Sequence, residues 1–195
     1  SSERRLGQLL KGQRNRWVIC TKVGEAFAGG KSRYDFSPRV IRTSIEASLS
    51  RLSTEVLDIV LIHSNGDDIR IIEQLGTLEA LARLQQEGLV RAIGMSTKTV
   101  AGGIAAAGCC DVVMATYNPE QQQEEPVLRA CRDASTGVLL KKVLNSGHLP
   151  LTAPEDLRAA LRLPLRHPGV SSVIIGTLSE NHLRDNVSTA RSILN

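Results

Sequence analysis

Six short runs of β-branched and aliphatic residues, at 17–21, 56–62, 90–95, 112–116, 138–140 and 172–175, alternate along the chain with amphipathic stretches. Runs that are apolar almost throughout are the pattern of strands covered on both faces. Strict alternation of strand and helix then gives a parallel sheet joined by right-handed crossovers. The helices carry their own punctuation. Ser37-Pro38 offers an N-cap and a proline at the first helical position, and Ile41, Ile45, Leu49 and Leu52 follow as one stripe. A helix is expected over 69–87, with Ile72, Leu75, Leu78, Leu81 and Leu84 on its apolar face and Gly88 beyond its end. Two more are expected at 124–134 and 179–194, and Ser1-Ser2-Glu3 reads as the cap of a helix running through Leu10. Gly29-Gly30 and Gly102-Gly103 read as turns.

Six units in 195 residues average about 32 each, near the ~30 of a βαβ unit. Two architectures compete: an open doubly wound sheet, and a (β/α)8 TIM barrel. A barrel typically takes ~250 residues, about two units more than this chain supplies. No linker, repeat or low-complexity run divides the sequence, so residues 1–195 are expected to form a single, incomplete barrel-type domain.

Composition narrows the function classes. Lys and Arg number 24 against 20 Asp and Glu, and the excess of +4 is scattered among acids. With two Phe, two Tyr and one Trp, the chain has no aromatic platform for bases, so no nucleic-acid partner is expected. The longest apolar run, 56–62, is interrupted by Asp58 and is far short of the ~20 residues of a membrane span. With no charged-then-apolar leader and four cysteines (Cys20, Cys109, Cys110, Cys131) that lack metal-site spacing, a cytoplasmic protein with reduced thiols and no metal is expected.

In parallel sheets, sites gather at the C-terminal ends of strands. Four strands end in Thr21-Lys22, His63-Ser64, Ser96-Thr97 and Tyr117-Asn118. A lysine near a histidine there can tune a proton donor, while the bland reading leaves each as the first solvated residue of a loop. Lys141-Lys142 ends the fifth strand; it can neutralise an anion, or its amine can attack a carbonyl as a Schiff base. Neither GxGxxG nor a P-loop is present, but 174–179 runs from strand through glycine and small polar residues into a helix, a junction that suits a phosphate.

Taken together, Ile19-Cys20-Thr21-Lys22, the run Asp58 to His63, the run Gly88 to Ser96 and the run Val173 to Asn186 resemble the aldo-keto reductases, in that family's order, over residues 2 to about 192. The resemblance implies a (β/α)8 barrel lacking its first one or two strand units. It also implies the reduction of small aldehydes and ketones with NADPH, or NADH. Lys22 and His63 would be two members of the family's Asp-Tyr-Lys-His tetrad, in which the tyrosine protonates the substrate oxygen, the lysine lowers its pKa and the histidine orients the carbonyl. The Asp and Tyr would lie upstream of the opening Ser-Glu. Tyr34, read as a loop residue, and Tyr117, at the end of the fourth strand, are no obvious substitutes.

On the cofactor side, the resemblance makes Ser96 a contact to the nicotinamide carboxamide, with Thr97 where many members carry Asn. Gly176 and Thr177 would line the phosphates, and Asn186 would meet the adenine. Met114 stands where many members use Gln, Lys141 where many stack an aromatic ring on the nicotinamide, and His182 near the Arg that often meets a 2′-phosphate. The alternative is a non-catalytic nucleotide-binding or regulatory member of the same family. The sequence leaves oligomeric state open.

Overall fold

A computed structural model describes residues 2–151 and 153–195; Ser1, expected in the first cap, lies outside them. Helix α1 (Ser2–Leu9) leads to strand β1 (Cys20–Val23) and a hairpin of β2 (Glu25–Ala28) and β3 (Lys31–Tyr34). There follow α2 (Pro38–Leu52), β4 (Leu57–His63), α3 (Asp68–Glu73), α4 (Thr77–Gln86), β5 (Val90–Ser96) and α5 (Val100–Ala107). The chain continues through β6 (Val112–Thr116), α6 (Glu125–Ala134), β7 (Gly137–Lys141), α7 (Pro154–Leu165), β8 (Ser172–Val173) and α8 (Glu180–Leu194).

Strands β1, β4, β5, β6, β7 and β8 form one parallel sheet whose spatial order is their chain order. A doubly wound sheet reverses direction at a switch point; this one never does. Monotonic order with a helix after each strand is the winding of a (β/α)8 barrel, here as a six-strand arc. Register fixes what each face carries. The outer face presents Val60, Ile62, Ile93, Met95, Val113, Ala115, Val138 and Leu140 to the core beneath the helices. The inner face holds a separate small cluster of Leu61, Val112 and Met114, with Ile59, Ala92 and Leu139 against it.

Local departures from the sequence reading have physical causes. Strand β1 begins at Cys20, not at Trp17, because Ile19 N–H is taken by the Asp58 carboxylate at 2.8 Å and the Trp17 carbonyl by Arg14 at 2.9 Å. Trp17 and Val18 are left exposed. The single helix expected over 69–87 is two, because Gly76 adopts φ +66 and interrupts the hydrogen-bond ladder. Gly102-Gly103 is not a loop turn but part of the first turn of α5: a Cβ at 102 would lie 2.1 Å from Asp68 Cβ, so glycine lets α5 close onto α3. Gly29-Gly30 is a turn, with φ of 58° and 76°, and it closes the unforeseen β2–β3 hairpin.

Helix α1 is pinned under β1 and α2 by one carboxylate. Thr21 Oγ1 donates to Glu3 at 2.6 Å, and Arg51 Nε at 2.5 Å. Burial raises the Glu3 pKa, but these bonds outweigh it and hold it below the ordinary value. A depressed carboxyl pKa stabilises the fold above the unfolded value, and that stability is lost as pH falls through the folded one. Acidification below about pH 4 is therefore expected to lower the melting temperature more in the wild type than in Glu3→Gln. Equal acid sensitivity in the two would refute this role.

Candidate functional site

Two residues above the inner-face cluster, the same face ends in polar groups. Lys22 pairs in register with Leu61, and His63 lies two residues further along β4. His63 in turn pairs with Ser96, Ser96 with Met114, and Lys141 with Thr116. Because alternate residues of a strand share a face, Lys22, His63, Ser96 and Lys141 converge at one rim. Met114 sits one layer lower, 3% exposed, as part of the floor.

Charge concentrates at this rim. The His63 pKa is pushed down, first by burial and then by the ammonium groups of Lys22, Lys98 and Lys141, while the Glu25 carboxylate, in contact with Nδ1, opposes them. Lys141 Nζ donates to Ser96 Oγ at 3.0 Å and to the Thr97 carbonyl at 3.2 Å. Burial lowers the Lys141 pKa, and the facing Glu124 carboxylate offsets part of that. Glu124 is itself raised by burial. Beside these groups Thr97 Oγ1 is buried with no hydrogen-bond partner, as is Glu124 Oε2.

From Lys141 a cavity of about 1030 Å³ extends to the start of α8, lined by Lys141, Leu144, Gly176, Thr177, His182 and Asn186 among others. Gly176 has no atom within 4 Å of where a Cβ would stand, so the backbone there is open to a ligand. Thr177 Oγ1 caps Ser179 N–H at 3.1 Å, and Ser179 Oγ caps His182 N–H at 3.3 Å, which fixes the first turn of α8 against the cavity. The cavity thus has the positive N-terminal end of a helix on one side and the Lys141 ammonium on the other, groups that suit the phosphates of a nucleotide.

The residues singled out from sequence thus fall into two adjoining groups. Lys22 and His63 occupy the rim corner, while Lys141, Gly176, Thr177, His182 and Asn186 share the cavity, joined to Ser96 and Thr97 through the Lys141 ammonium. Sequence reading missed Glu25 and Lys98, and it misplaced Tyr34. That residue is not in a loop but on β3, half-buried, donating to Glu25 at 3.2 Å with Lys98 Nζ 5.5 Å from its ring centre. A Gly-Gly pair flanked by two four-residue segments was the available signal. Tyr117 is buried on the other side of the sheet, edge-on to His167. No helix among the described residues is long and apolar enough to cross a membrane.

The sequence profile of the Aldo/keto reductase family matches residues 1–159. A crystal structure of a Pseudomonas aeruginosa protein described as an aldo-keto reductase superposes with a TM-score of 0.92 at 42% identity, covering 100% of this chain and 75% of that one. Among curated proteins, D-threo-aldose 1-dehydrogenase of a Pseudomonas species is 27% identical over 180 residues, 79% of this chain and 55% of the relative. L-Galactose dehydrogenase of Arabidopsis thaliana is 25% identical over 230 residues, 98% of this chain and 70% of the relative. The chain therefore spans little more than half of the first of these two proteins.

Proposed function

The chain belongs to the aldo/keto reductase family, and from that premise we propose that it reduces aldehydes or ketones to alcohols by hydride transfer from NADPH or NADH. The observation that carries the reading is the meeting of Lys22 and His63 at one rim, within electrostatic reach of each other and next to a cavity of dinucleotide size. When bound, the nicotinamide supplies the hydride; the protein must bind, orient and handle the proton. Ser96 and Thr97 would hold the carboxamide end, Gly176 and Thr177 the phosphates, His182 a ribose phosphate and Asn186 the adenine. His63 orients the carbonyl oxygen that is to be protonated. The Lys22 ammonium favours the anionic form of an adjacent proton donor and so lowers its pKa.

The phosphate end gives a direct test. Thr177→Asp sets a carboxylate against the phosphate, and we expect dinucleotide affinity to fall more than tenfold, above ~1.4 kcal/mol, by fluorescence titration. Unchanged affinity removes the turn from the site. Two relatives are named as dehydrogenases of an aldose and of L-galactose, so sugars are the first compounds to assay, in both directions.

One observation favours a second reading, a non-catalytic nucleotide-binding member of the family. The Lys141 ammonium already occupies Ser96 Oγ and the Thr97 carbonyl, so a nucleotide held by its phosphates at the start of α8 would bind without its nicotinamide seated at Ser96 for hydride transfer. Dinucleotide binding with no turnover of any carbonyl compound would decide for it.

A further inference from the structure

We propose that Glu25 is the positioning residue of His63: its carboxylate accepts a hydrogen bond from Nδ1–H of the imidazole and so turns Nε2 toward the carbonyl site at the strand ends. The inference rests on the reading of His63 as a carbonyl-orienting residue. Glu25 opens β2 two residues after Val23, the last residue of β1, so the hairpin leaves the sheet directly at the rim. Its carboxylate is met by three groups: Ser32 Oγ, Tyr34 Oη at 3.2 Å and His63 Nδ1. Ser32 and Tyr34 come from the opposite strand of the hairpin, Tyr34 directly across from Glu25. The Tyr34 ring stacks on Phe36, 6.0 Å between centroids, and Phe36 is buried in the main core. The carboxylate is therefore held from the core outward and is not a mobile surface acid.

A carboxylate carries no hydrogen, so this contact requires Nδ1 to be the donor; in the neutral ring Nε2 is then an acceptor, and only the protonated ring, whose charge Glu25 offsets, carries the Nε2–H that can donate to a carbonyl oxygen. The contact also has an electrostatic role. Lys22 from β1, Lys98 from the segment after β5 and Lys141 from β7 all drive the imidazole toward its neutral form, as burial does. Glu25 is the acid that opposes them. It is itself held ionised, first by the Ser32 hydroxyl. Without Glu25 the ring would lose both its fixed tautomer and its counter-charge.

Imidazole NMR on the protein, assigned by comparison with His63→Gln, tests this without reference to activity. We expect the neutral ring to be protonated at Nδ1. In Glu25→Gln the titration midpoint of His63 should fall by about one pH unit and the tautomers should mix. In Ser32→Ala, which removes a hairpin bond and leaves the carboxylate, both features should stay. An unmoved midpoint and tautomer in Glu25→Gln, or an equal change in Ser32→Ala, overturns the proposal. In turnover, Glu25→Gln should lower kcat about tenfold with little change in KM, and Glu25→Asp should recover part of it. A wild type that reduces no carbonyl compound would sink the reductase reading, while the NMR arm would still decide the role of Glu25.

Discussion

Lys22→Met is expected to cut the reduction of a simple aldehyde by ~10²–10⁴, the range for a positioned acid–base element, while dinucleotide affinity stays within a few-fold. The split follows from where the ammonium acts. Lys22 stands at the end of β1 and its charge is felt at His63, so it acts on the proton that the reacting oxygen must receive. That proton moves only in the transition state, so the loss belongs in kcat and not in cofactor binding. His63→Ala should also depress the rate, through lost carbonyl orientation. Lys22 is exposed at the strand end, so its removal is expected to cost little stability. Wild-type turnover by Lys22→Met, at matched folded concentration, would mean that the residue is only a solvated strand terminus.

The largest expected effect on stability is at the opposite end of the sheet. Asp58 is 5% exposed, and its carboxylate accepts from Arg14 Nη2 at 2.7 Å, Arg91 Nη1 at 2.8 Å and the Ile19 backbone at 2.8 Å. It thereby joins the start of β1 to β4 and β5. Arg91 is mostly exposed and contributes little, as surface pairs do. Arg14, 20% exposed, keeps its bonds to Thr54, Trp17 and Val56 but loses its counter-charge, while the buried Ile19 N–H is left without an acceptor. Asp58→Ala is expected to cost about 3 kcal/mol, a fall of roughly 10 °C in melting temperature for a chain of this size. Asp58→Asn, which keeps an oxygen for Ile19, should cost clearly less. An unaltered melting temperature in Asp58→Ala would show that β1 is held by pairing with β4 alone.

Periodicity sufficed to find the six parallel strands and helices such as α2 and α8, most clearly where an apolar face recurring at a fixed spacing is buried throughout, as in β4, β6 and α2. It failed where the deciding contact lies far away in sequence. Gly102-Gly103 looks like a turn until Asp68 packs on it from α3, and residues 69–87 look like one helix until Gly76 takes its left-handed conformation. The β2–β3 hairpin is short and mostly exposed, so no periodic burial signal marks it. Motif order pointed to Lys22, His63, Ser96 and Lys141, but it said nothing of Glu25 or Lys98, whose roles exist only in relation to His63.

By itself the sequence determined the alternation of strand and helix, the parallel sheet that follows from it, and which strand ends carry polar residues. Only the tertiary structure decided that these ends share one face, that Lys141 spends its ammonium on Ser96 and Thr97, and that a hairpin acid is set against His63. The physical reason is the range of the interactions. Strand and helix periods express burial within a few residues, whereas a charge cluster is made by side chains from separate strands, far apart in sequence, that meet only after register and curvature are fixed.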